Sequence, residues 1–157
     1  MRGSLFYDLM IMKSRFSLAF ALLLLPTASL GADQESLDEL VRQEQAQTDN
    51  DAVSVYGGKV GRADAIFFIE WPGTGNSIAG RYYLPARGKN MTYVLKGTNP
   101  KSGVLELEEF LTDASGKLVL HAFCKFKKRI KGELIVWEGE KTYPNGRSIP
   151  VSFSRAK

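Results

Sequence analysis

KLVLHAFCKFKKRI, residues 117–130, decides the fold. Leu118, Leu120, Ala122, Cys124 and Phe126 alternate onto one face. Val119, His121, Phe123, Lys125, Lys127 and Arg129 fall on the other, and Lys131 continues that row. A period of two, apolar on one side, is the pattern of a half-buried strand and not of a helix. The segment before it carries the same parity, with Leu105 and Leu107 opposed to Glu106 and Glu108. A turn at Asp113-Ala-Ser-Gly116 folds the two segments antiparallel. The leucines then lie beside Cys124, and the glutamates lie beside the His121–Lys125 row. Core meets core and acid meets base, so the two segments form a hairpin.

Working outward, apolar and β-branched runs recur from Val53 to the end, punctuated by Gly, Pro, Asn and Asp. Strands are expected near 53–60, 64–71, 78–85, 91–97, 103–111, 117–130, 133–143 and 148–155. No crossover helix fits between any two of them, so the sheet should be antiparallel and sequential. The expected fold is all-β: an up-and-down meander of about eight strands, closed as a barrel or split into a two-sheet sandwich. Closure would remove exposed sheet edges. Both faces of AIFFIEW, residues 65–71, are apolar, which requires cover on both sides or a cavity.

Upstream of the β domain (53–157) lies an acidic helical segment and linker, 33–52. Ser36 followed by Glu39 is a capping box. Leu37, Leu40 and Val41 share one helical face, so a short helix is expected over 36–44. Residues 33–55 hold seven acids against Arg42, whereas residues 56–157 hold 17 bases against 9 acids. This asymmetry suggests that the acidic helix covers the basic domain.

Residues 1–32 have the order of a secretory signal peptide. Lys13 and Arg15 precede FSLAFALLLL (16–25), and the small-residue stretch from Pro26 to Ala32 follows. Residues 1–11 look like an upstream extension, with Met12 as the start. An apolar run of about ten residues is half a bilayer span, so no transmembrane segment is expected after cleavage. The expected location is periplasmic or secreted. Cys124 is the only cysteine, so no internal disulfide can staple the core; its strand pattern predicts burial.

Several of these pieces resemble a known pattern. Tyr56-x-Gly-x-Val60-Gly61, Ile78-x-Gly80-x-Tyr82-Tyr83, Tyr93-x-Leu95-x-Gly97, Leu105-x-Leu107-x-Glu109 and Trp137 together resemble an uncharacterised group of small exported bacterial β-meander proteins. The resemblance covers most of 56–157 and implies an all-β fold and an envelope location. It carries over no catalytic residue.

Catalytic chemistry finds little footing. Gly75-Asn-Ser77-Ile-Ala79 lacks the last glycine and the strand–turn–helix setting of a nucleophile elbow. His121 and Cys124, on opposite faces of one strand, cannot share a zinc ion. Gly73-x-Gly75 is followed by Ile78 and by no helix, so it is a turn and not a dinucleotide fingerprint. Glu106 and Glu108 share a face, but the Lys125 row pairs with them. The chain is therefore expected to be non-enzymatic and to need no metal or cofactor.

Two binding readings remain. Phe123, Lys125, Lys127, Lys128, Arg129 and Lys131 suggest recognition of a macromolecular or anionic surface partner, a lipid headgroup or acidic glycan. Nucleic acid is a poor partner for an exported protein. The alternative is a carrier whose barrel, lined by Phe68, Trp71, Tyr82, Tyr93 and Trp137, holds a small hydrophobic ligand. A third reading is an inhibitor of an envelope-attacking enzyme, although a basic domain would be repelled by a basic target.

Overall fold

The computed structural model describes residues 36–155 apart from 74 and 99–102. The expected signal peptide, residues 1–32, lies outside the described residues. A single helix, α1 (Leu37–Ala46), precedes eight strands. These are β1 (Val53–Val60), β2 (Ala63–Glu70), β3 (Ser77–Tyr83), β4 (Thr92–Thr98), β5 (Val104–Thr112), β6 (Leu118–Lys131), β7 (Leu134–Thr142) and β8 (Ser148–Ser154). Each strand pairs antiparallel with the next, and β8 returns to β1 to close a barrel. A short 3-10 turn, Pro85–Arg87, follows β3, so the strand expected over 78–85 ends at Tyr83.

The hairpin that decides the fold has the expected register over its central part. Leu107 lies opposite Cys124, Leu105 opposite Phe126 and Glu106 opposite Lys125. Nearer the turn the alternation breaks. The partners step from Glu109–Ala122 to Phe110–Leu120, which leaves His121 as the extra residue of a β-bulge. Beyond the bulge the faces exchange. Leu120 opposes Phe110 and is exposed, so the expectation that Leu118 and Leu120 continue the core face is corrected.

Inward residues fill the barrel. Phe67 stacks on Tyr82 and on Phe153, with centroids 4.8 and 4.9 Å apart, and Phe126 meets Phe153 edge-on at 5.2 Å. An eight-stranded barrel is just wide enough for side chains to occupy its axis. Outward positions on β4–β6 include Lys96, Glu106, Glu108, Lys125 and Lys127, all exposed. No described helix is long and apolar enough to cross a membrane.

Close strand approach explains several interior glycines. A Cβ on Gly139 would lie 1.8 Å from the Lys125 carbonyl oxygen and 2.8 Å from the Phe126 Cα. Both are backbone atoms and cannot swing aside. Gly139→Ala is therefore expected to destabilise the fold by about 1–3 kcal/mol, read as a lower urea midpoint. Gly73, with nothing within 4 Å of its Cβ position, should accept alanine with little change.

Helix α1 begins where the sequence suggested, with the Ser36 hydroxyl accepting from the Glu39 amide at 3.3 Å. Only half of the capping box forms, because the Glu39 carboxylate pairs with Arg42. Its apolar face covers the outside of β1 and β2: Val41 packs with Val55, Ile66, Phe68 and Tyr83. This is why 65–71 is apolar on both faces. Alternate residues enter the barrel, and Ile66 and Phe68 lie under the helix.

The helix also mends the barrel seam. Among the described residues, β1 pairs with β8 over Gly57–Val60. Beyond that stretch, the Val55 amide donates to the Gln45 side chain at 3.0 Å. Tyr83 Oη donates to Glu44 at 2.8 Å, and burial followed by this bond raises the Tyr83 phenol above its ordinary value. The acidic helix lies on the β domain over β1 and β2, across the ring from β6. Apolar area, not net charge, sets where it docks.

Candidate functional sites

Two charged side chains point into the barrel from flanking strands. Glu109 on β5 is 0 % exposed and Lys141 on β7 is 2 % exposed. β6 runs between them, with Ala122 opposite Glu109 and Cys124 opposite Lys141. These small residues leave room for the two long side chains to meet above them. Lys141 Nζ lies 2.7 Å from Glu109 Oε1, and His121 Nδ1 reaches the same oxygen at 2.6 Å. Tyr82 Oη donates to Glu109 Oε2 at 2.8 Å and accepts from Lys141 Nζ at 3.0 Å. The ammonium also faces the rings of Tyr93 and Tyr143, 4.9 and 5.0 Å from their centroids.

Desolvation of these charges is offset by partners on every side. No described buried side-chain nitrogen or oxygen is left without a hydrogen bond. Burial, reinforced by Glu109, pushes the Tyr82 phenol far above its ordinary value. Burial also pushes the Cys124 thiol up to about 12, so it stays protonated at neutral pH. His121, with 31 % of its side chain exposed, is the network's outlet toward solvent.

The bulge corrects an earlier placement. His121 and Cys124 are not on opposite sides of the strand in effect, because both approach Glu109: His121 at 2.6 Å and the Cys124 sulfur at 3.9 Å. Even so, no described group of three or more His, Cys, Asp or Glu is arranged to hold a metal ion. Both Glu109 oxygens are already engaged, so the cluster ties β3, β5, β6 and β7 together.

The expected cavity set is divided. Tyr82 and Tyr93 stack on each other, 4.6 Å apart and 9° from parallel, with Lys141 against them. Phe68 faces outward beneath α1, with the Arg81 guanidinium 4.6 Å from its ring centroid. Period-two alternation sends Phe67 in and Phe68 out, so the two cannot line one cavity. Trp71 and Trp137 do come together, stacked at 5.7 Å at the opposite end from Lys141. Trp71 Nε1 donates to Tyr56 Oη at 2.7 Å, which fixes the indole.

The basic row is likewise split. Lys125 pairs with Glu106 at 2.7 Å, and its amine is raised above the usual value by that contact. Lys131 pairs with Glu138 at 2.5 Å. Among the described residues, Lys127 and Arg129 make no ion pair. Lys128 stands opposite the inward-facing Trp137 and so belongs to the other side of the strand. Phe123 is exposed in a groove with Lys96, Glu106, Glu108 and Glu140, a mixed-charge surface. Six residues of strand, about 20 Å, separate it from Arg129.

That tip is an arm. The last β5–β6 pair is Val104–Lys127, and the last β7–β8 pair is Val136–Ser154. The Lys128 amide still donates to the Gly103 carbonyl at 2.8 Å, and among the described residues 129–135 extend past the last paired positions of β5 and β8 as a two-stranded hairpin. Ile130 and Ile135 oppose one another there, 75 % and 46 % exposed.

These features define a small eight-stranded up-and-down β-barrel with a buried ion network at one end and a projecting amphipathic hairpin at the other. No family model matches the chain, and neither a curated protein nor a solved structure is significantly similar to it.

Proposed function

We propose that this protein is an exported, non-catalytic binding protein that docks on an anionic surface of the cell envelope, lipid headgroups above all, through the β6–β7 hairpin. The observation that carries the reading is the pair Ile130 and Ile135 exposed on an arm beside Lys127, Lys128, Arg129 and Lys131. Apolar side chains can enter the headgroup boundary while neighbouring cations meet phosphates. Each cation near such a surface contributes about 1 kcal/mol. Glu133 and Glu138 offset part of that attraction, and Lys127 and Arg129 carry the remainder. Export rests on the charge, apolar run and small-residue order of residues 13–32.

Co-sedimentation with vesicles tests this. Wild type should bind phosphatidylglycerol-containing vesicles, ignore pure phosphatidylcholine, and lose binding as salt rises. Lys127→Glu with Arg129→Glu should weaken binding at least tenfold, because reversing two charges removes several favourable contacts. Equal binding by the double variant, or none by wild type, sinks the reading. Retention by acidic glycans instead of vesicles would move the partner to the other anionic class.

A further inference from the structure

The inner side of the same arm forms something different from its tip. Between the arm and the barrel mouth lies a groove of about 530 Å³. Stacked Trp71 and Trp137 make its aromatic wall, Leu134 and Ile135 face it from the arm, and Lys128 and Arg155 stand at its edge. Its volume falls within the range of about 300–1,000 Å³ typical of small-molecule sites. We infer that this groove binds a single-chain amphiphile with an anionic head, its alkyl tail along the tryptophans and its carboxylate on Lys128 and Arg155.

Three observations converge on that ligand class. The wall is preorganised, since the Trp71 indole is already held by Tyr56, and little ordering is required on binding. Ile135 is 46 % exposed and an alkyl chain would cover it. Two cations against one lining acid, Glu133, select a negative head over a positive one. This site shares Lys128 and Ile135 with the arm proposed to dock, but it adds Arg155 and the two tryptophans, and the docking test changes Lys127 and Arg129, which do not line it.

The protein carries its own reporter, because Trp71 and Trp137 are its only tryptophans. Titration with monomeric laurate, below micelle formation, should change tryptophan emission in a saturable way. Removing two methylenes from the probe should weaken binding about tenfold. Dodecyltrimethylammonium, with the same tail and the opposite head, should bind at least tenfold more weakly. Lys128→Glu with Arg155→Glu should abolish that preference while leaving the fold intact. An unchanged emission, equal response to both head groups, or full laurate binding by the double variant overturns the inference. Because laurate here is free and monomeric, this result stands or falls separately from the vesicle result.

Discussion

Glu109→Ala is expected to destabilise the protein by about 3–5 kcal/mol, with a fall in Tm of roughly 10–20 °C. The substitution removes the carboxylate that satisfies Lys141, Tyr82 and His121 together. Lys141 would then be a charge 2 % exposed, with only aromatic faces and the Tyr82 oxygen for company. An uncompensated buried charge costs far more than the intact pair contributes. The informative control is Glu109→Leu with Lys141→Met, which replaces both charges with apolar groups of similar reach. The double variant should be more stable than Glu109→Ala, short of wild type by the lost acceptor for Tyr82, about 1–3 kcal/mol. Thermal unfolding of the three proteins followed by circular dichroism decides the matter. A Glu109→Ala loss below about 1 kcal/mol would mean that water already reaches Lys141.

Phe153→Ala should cost about as much, roughly 3–5 kcal/mol, by a different route. Phe153 is 1 % exposed and touches rings from four strands: Tyr56, Phe67, Phe126 and Trp137. Filling the axis of the barrel is its part, and truncation leaves a hole whose walls cannot all collapse inward. The residue also sits opposite Gly58 at the β1–β8 seam, so the loss falls where the ring closes. Urea unfolding should show a lower midpoint with little change in slope. Phe153→Leu, which restores most of the volume, should recover at least half the loss. A small effect in the alanine variant would place the packed centre elsewhere.

Much of this architecture was legible in the chain. The parity of residues 117–130 and 103–111 gave the central hairpin, and the spacing of turns gave all eight strands to within a residue or two. Ser36 and the Leu37, Leu40, Val41 face gave the helix. AIFFIEW required cover on both sides or a cavity, and α1 supplies the cover. The buried ion network left a fainter mark: Glu109 continues the inward row Leu105, Leu107, and Lys141 continues Trp137, Gly139. A charge of each sign on core parity, two strands apart, is the available signal, fainter than the basic row.

Other features had no local signal. Strict alternation assigned His121 to the outer face, because a bulge depends on how β5 and β6 must bend to close the ring. The basic row read as one surface, although Lys128 faces Trp137 and Phe123 lies far along the strand from the arm. Net charge placed the helix on the basic domain without saying where, and the apolar strip of Ile66 and Phe68 decides the place. The sequence by itself determined the strands, their order and, outside the bulge at His121, their inward faces, because period-two burial is a local property written residue by residue. Tertiary structure alone decided the closure of the barrel, the meeting of Glu109 with Lys141 across β6, and the groove at Trp71 and Trp137. Those depend on strand curvature and on contacts between residues far apart in sequence, which no local periodicity encodes.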